Sequence, residues 1–250
     1  MSNWHVTQNI IDEYLQVCKE AVNDDKVFNK FKSDPRFTAI LEHCSFDIAI
    51  NYLDQIKKDN PTLFFNNKFK ENDKFGGAKI NIISHQWAKN TYSTSTIQYI
   101  GVLSNLIKYL PSLNDLNIIE IGGGYGGQCK IIHDHFKLKS YTIVDLPEVC
   151  QLQQKYLSKF KINVKTINSL ETTPQQYDLI ISNYAITEVR NDLQQVYIDN
   201  IVLNSKYGYI TCNRVGANQN LIDILQQNKN CVKISDVEKE SEDNCIIYWK

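Results

Sequence analysis

Asn117-Ile118-Ile119-Glu120-Ile121-Gly122-Gly123-Gly124-Tyr125-Gly126-Gly127 is the stretch that decides the fold. An apolar run ends near a single acid and passes into a glycine-packed turn, which reads as a buried strand followed by a tight bend. Without Cβ atoms in the way, such a bend lets the main chain approach a nucleotide-like ligand. Working outward, Lys130 to Phe136 continues a helix. A second strand, Tyr141-Thr142-Ile143-Val144, then ends in Asp145. An acid at that place, about 20 residues past the glycines, typically holds the two hydroxyls of a ribose.

The turn fits two patterns. Gly122, Gly124 and Gly127 satisfy G-x-G-x-x-G, the dinucleotide fingerprint. Glu120 with Gly122, Gly124 and Gly126 satisfies acid-x-G-x-G-x-G, which resembles the first motif of class I S-adenosylmethionine methyltransferases. Charge separates the two readings. A dinucleotide places an anionic pyrophosphate over the turn, where helix N-terminal amides suit a negative charge, and Glu120 would oppose it. S-adenosylmethionine carries an ammonium and a sulfonium instead, and Glu120 suits both. Asp145 serves either ligand, since both contain the ribose.

The order of elements supports the same choice. From Asn117 onward, strand and helix signals alternate as in a parallel α/β sheet. Strands are expected at 118–121, 141–144, 162–167, 177–182 and 207–213, with helices at 127–136, 147–160, 193–203 and 218–227. Two last strands, 232–236 and 245–249, flank an acidic turn and suit an antiparallel hairpin. Five parallel strands closed by a hairpin are similar to the Rossmann-like class I methyltransferase fold. Before residue 116 the chain reads as helical: an amphipathic stretch from Ile10 to Val22, one helix over 37–57, a polar and aromatic loop over 60–77, and a helix over 96–110 ended by Pro111. The expected organisation is a helical cap with the acceptor-binding region at 1–115, and a cofactor-binding domain at 116–250.

Composition narrows the field. The 250 residues are 42% hydrophobic and 22% charged with a formal net charge of −1, ordinary for a soluble globular protein. Lys and Arg form no run longer than two, so no nucleic-acid partner is expected. No apolar run approaches the roughly 20 residues that span a bilayer, so no membrane partner is expected either. The seven cysteines are scattered, odd in number and never in C-x-x-C, which predicts reduced thiols in a cytoplasmic compartment. The first residues lack the basic and apolar regions of a secretory leader. His133 and His135 do not share a helix face and are expected to be solvated, and no metal site is expected.

A narrower resemblance rests on three segments: Glu120 to Gly127, then Tyr141-Thr142-Ile143-Val144-Asp145-Leu146-Pro147-Glu148, then Ser182-Asn183-Tyr184-Ala185-Ile186-Thr187-Glu188. With Tyr209-Ile210 they resemble the sugar O-methyltransferases found in surface-polysaccharide gene sets, over about half the chain, and the N-terminal part matches only loosely. The resemblance implies S-adenosylmethionine as cofactor and a sugar or nucleotide-sugar as acceptor, and leaves a homo-oligomer open. It places Gly122, Gly124 and Gly126 under the methionine part of the cofactor, with Glu120 near its amino group. Asp145 would hold the ribose, Leu146 would lie against the adenine, Asn168 and Ser169 would edge that ring, and Asn183 would stand near the reactive methyl. Two residues are candidates for the base that activates a hydroxyl: Glu188, in the loop leaving the fourth strand, and His85, in the segment before the cap helix. The competing readings are an NAD(P)-dependent oxidoreductase, favoured only by the glycines, and a non-catalytic methyltransferase-like module.

Overall fold

The structure, a computed structural model, describes residues 7–79, 91–213, 218–235 and 244–250. Its centre is a seven-stranded sheet of β1 (Asn117–Ile121), β2 (Ser140–Asp145), β3 (Lys165–Asn168), β4 (Tyr177–Asn183), β5 (Ser205–Cys212), β6 (Cys231–Ser235) and β7 (Cys245–Trp249). The strand order is β3-β2-β1-β4-β5-β7-β6. The first five strands are parallel, β7 runs antiparallel to β5, and β6 pairs antiparallel with β7. The expected sheet and closing hairpin are therefore present, with β7 inserted beside β5.

Alternation along the strands sends side chains to two apolar faces. Ile118, Ile143, Leu179, Ile181 and Tyr209 face one core, while Ile119, Ile121, Val144, Ile180 and Ile210 face the other. On the first face lie α1 (Gln8–Asn23), α2 (Asp25–Phe28), α3 (Pro35–Thr38), α4 (Phe46–Asp59), α5 (Thr94–Tyr109), α6 (Gly127–His135) and α7 (Pro147–Ser158). The second face is covered by α8 (Ala185–Glu188), α9 (Asn191–Tyr197) with a π-helical extension to Val202, and α10 (Gln219–Asn228). The first cluster runs without a break from Tyr14 and Phe37 through Leu103 to Ile143. Helical cap and sheet thus share one core.

Three expectations change. The helix read over 37–57 is broken: α3 ends at Thr38, Glu42 takes φ 65, and Ser45 caps α4 by accepting the Ile48 amide at 3.2 Å. A serine whose side chain caps the first turn is a start signal that outweighs the apolar periodicity across it. The stretch over 60–77 is not a plain loop. It holds two 3-10 turns, Pro61–Phe65 and Phe69–Asp73, that bury Leu63, Phe64, Phe69 and Asn72. The third strand begins at Lys165 and not at Ile162, because Lys161 is left-handed and the Ile162 amide closes the end of α7 on Leu157.

Candidate active site

The glycine turn joins the carboxyl end of β1 to α6, where open α/β sheets bind their ligands. Gly122 has φ +71, and a Cβ built on it would lie 2.1 Å from Ala185 Cβ at the start of α8. Gly124 has φ +54 and sits against Leu41 Cδ1, 3.1 Å from the position of its missing Cβ. Gly126, also left-handed, is the N-cap of α6. Tyr125 does not face the ligand side. It is fully buried as a peg in the cap, ringed by Phe31, Phe37, Tyr99 and Tyr156 with centroids 4.9–6.4 Å away.

Two acids stand beneath the turn. Glu120 is 2% exposed and accepts a hydrogen bond from Tyr141 Oη at 2.9 Å. Burial pushes its carboxyl up to about 8, against that hydrogen bond and with a further push from Asp145. Asp145 accepts from its neighbour's amide, Leu146 N, at 2.9 Å and from Gln153 Nε2 at 2.9 Å, while the Gly123 and Gly124 amides also stabilise its charge. Burial nevertheless pushes it up to about 7. Both acids hold protons more tightly in the fold than in the unfolded chain. Their contribution to stability is complete below the ordinary carboxylate range and is lost as pH rises through about 7 to 8. The urea midpoint of the ligand-free protein is accordingly expected to fall between about pH 5.5 and 8.5, and to fall less in Glu120→Gln.

Across the turn, the ends of β4 and β5 carry a polar network. Asn183 Oδ1 accepts from Thr211 Oγ1 at 2.9 Å. Glu188, exposed at the end of α8, accepts from Asn213 Nδ2 at 2.5 Å. Thr187 Oγ1 donates within the same network, to Asn213 Oδ1 at 2.7 Å. Tyr184, between Asn183 and Ala185, has φ 65, a genuine outlier for an aromatic residue and of the kind that clusters at functional sites. Asn168 is register-paired with Asp145 and caps the turn Ser169–Glu171 through the Leu170 amide, with Ser169 buried. Leu146 is half-buried against the first core.

The sequence-predicted residues therefore fall into one arc across the carboxyl ends of β1 to β4: the glycines, Asp145, Leu146, Asn168, Ser169, Asn183 and Glu188. Glu120 lies a layer below, under Gly123. His85 lies outside the described residues. His133 is half-buried, with Nδ1 2.9 Å from the Cys129 carbonyl, and so is not solvated as expected; its neighbour across the helix, His135, is exposed. Among the described residues no group of three or more His, Cys, Asp or Glu could hold a metal ion. No described helix is long and apolar enough to cross a membrane.

Sequence reading missed Gln153, which ties Asp145 Oδ2 to the Gly124 carbonyl (2.9 and 2.8 Å). Its signal was present as a polar residue on the apolar face of α7, beside Val149, Leu152 and Tyr156. A groove of about 270 Å³ also escaped notice. It lies elsewhere, between Ile119, Ile167, Gln175, Tyr177 and Ile201, where the link from β3 to β4 has only a single 3-10 turn in place of a crossover helix. No residue of the glycine turn lines it.

No family model and no curated protein matches this sequence. Solved structures match in fold. The N-methyltransferase NodS of Bradyrhizobium japonicum WM9, in complex with S-adenosyl-L-homocysteine, is 15% identical over 60% of this chain and 83% of its own, with a TM-score of 0.46. Magnesium protoporphyrin IX methyltransferase (ChlM) of Synechocystis PCC 6803, with bound SAM, is 11% identical over 60% and 76%, with a TM-score of 0.49. A ribosomal protein L11 methylase of Lactobacillus delbrueckii subsp. bulgaricus is 12% identical over 62% and 79%, with a TM-score of 0.44. At such identities the likeness is one of fold. The class is written in this chain's own topology: a Rossmann-like methyltransferase fold, five parallel strands and an antiparallel pair in the order β3-β2-β1-β4-β5-β7-β6, under a helical cap.

Proposed function

We propose that the chain is an S-adenosylmethionine-dependent O-methyltransferase that acts on a hydroxyl of a sugar or nucleotide-sugar. The observation that supports the cofactor is the pair of acids at the glycine turn, Glu120 and Asp145, close enough for each charge to be felt by the other. Both acids hold protons above the ordinary carboxylate range in the ligand-free protein, so a cationic ligand would draw them into their charged forms, whereas a pyrophosphate would gain nothing from them. The residues also fit the cofactor in their chemistry: Gln153 Oε1 is a sealed acceptor with no partner among the described residues, and Gln153 is tied to Asp145. Bound S-adenosylmethionine would supply an electrophilic methyl group on a sulfonium. Asp145 with Gln153 would accept the ribose hydroxyls, and the acids would hold the positive charge in place.

The acceptor class follows from the segments Asp145-Leu146-Pro147-Glu148 and Ser182-Asn183-Tyr184-Ala185, which resemble sugar O-methyltransferases. A sugar hydroxyl is a poor nucleophile at neutral pH and benefits from a positioned base. Glu188 is a carboxylate at the end of α8, held by Asn213 just past β5 and open to solvent, which suits it to take the hydroxyl proton. Glu188→Gln is expected to lower turnover by about 100-fold or more while cofactor affinity changes by less than about twofold. A fully active variant would remove Glu188 from the reaction. The test of the function itself is calorimetry with S-adenosylmethionine, S-adenosylhomocysteine and NAD(H), followed by nucleotide-sugars as methyl acceptors. Binding of the first two without NAD(H) supports the reading, and binding of NAD(H) alone replaces it with the oxidoreductase.

A further inference from the structure

The carboxyl group of Glu42 has no part in the reading above. It belongs to the segment that crosses the glycine turn, since the residue before it, Leu41, is the one that rests on Gly124. Its backbone is left-handed, φ 65, a conformation unfavourable to any residue that carries a Cβ. Oε1 is shut off from solvent and has no hydrogen-bond partner among the described residues, and the same holds for Ser95 Oγ in the first turn of α5. Burial pushes the Glu42 carboxyl above the usual carboxylate range, although Lys32 and the hydroxyls of Ser95 and Tyr125 pull the other way.

The nearby cation does not complete the site. Lys32 Nζ donates to the Asn72 carbonyl at 2.7 Å and lies over the Tyr125 ring at 4.0 Å and the Tyr156 ring at 4.8 Å. Asp73, the other acid of this cluster, is held by the Ser93 amide and hydroxyl and by Thr96 Oγ1. Two carboxylates therefore face one ammonium, and Glu42 is the acid left with an open acceptor. A buried carboxylate in that state is completed best by a cation that brings its own N–H donors.

We propose that Glu42 binds the α-ammonium of the cofactor's methionine part, an inference that rests on the methyltransferase reading. Asp145 meets the turn at the Gly123 and Gly124 amides, and the segment of Glu42 crosses it where Leu41 rests on Gly124, so two carboxylates address the turn separately. One suits the ribose and the other the amino acid end. The strained backbone at Glu42 then has a use: it turns a charged side chain inward, where a helical continuation would send it elsewhere.

The test is calorimetry of the full chain and of Glu42→Gln with three probes. These are S-adenosylhomocysteine, its analogue without the amino group, and 5′-methylthioadenosine, which keeps the nucleoside and thioether but lacks the amino acid end. The variant is expected to bind S-adenosylhomocysteine about tenfold more weakly or worse, and both other probes within about twofold of wild type. Equal affinity for S-adenosylhomocysteine in the two proteins would overturn the assignment. So would a loss of all three probes, which marks a structural role. A wild-type protein that binds no probe instead overturns the methyltransferase reading on which this inference stands.

Discussion

Asp145→Ala is expected to weaken S-adenosylmethionine binding by about 100-fold, read by calorimetry. Two ribose hydroxyls would lose a charged acceptor, and each hydrogen bond to a charged group is worth about 1.5–3 kcal/mol. The same change strips an acceptor from Gln153 Nε2 and from the amides of Gly123 and Gly124. Leaving buried donors unmade costs about 1–3 kcal/mol, so the turn should loosen as well. Asp145→Asn separates the two effects, because it restores a carbonyl for the amides and offers the ligand only a neutral acceptor. A loss near tenfold is expected for it. The wild-type affinity should also rise with pH through about 7, as Asp145 gives up its proton, and this rise should flatten in Asp145→Asn. Unchanged affinity in Asp145→Ala would take Asp145 out of the site.

Gly122→Ala carries the second large effect. The left-handed backbone at φ +71 costs an alanine about 1–2 kcal/mol. Its new methyl would stand 2.1 Å from Ala185 Cβ, so either the turn or α8 must move, and forced overpacking costs about 1–3 kcal/mol more. A destabilisation of about 2–5 kcal/mol in urea unfolding follows from the two together. Because α8 carries Glu188, the displaced helix should cost turnover beyond the loss of stability. A variant within about 0.5 kcal/mol of wild type would mean that α8 does not rest on Gly122 in solution.

Much of this site is local, and locality made it readable. Strand β1 and the left-handed glycines sit in consecutive residues whose pattern is itself the geometry: alternation gives the strand, absent Cβ atoms give the turn, and the acid closes the very next strand. The same holds for the hairpin of β6 and β7. Gln153 was harder to read, since nothing local says that a glutamine on α7 reaches Asp145. Glu42 was harder still. Its segment had the periodicity of a helix, and only packing against Gly124 and the start of α4 at Ser45 broke that helix to turn the carboxyl inward. Phe69 and Asn72 read as loop residues because their burial depends on partners far along the chain: Asn72 accepts from Tyr156 Oη at 2.9 Å, 84 positions away.

By itself the sequence determined the alternating sheet, the glycine turn and the two acids beside it, because backbone preference and charge act over a few residues. Tertiary structure decided which acids are sealed and which are open. Glu120 and Glu42 are both glutamates, yet one closes on Tyr141 while the other keeps an unpaired oxygen. Burial, and the partners that burial brings, set the energy of a charge far more than its residue type does.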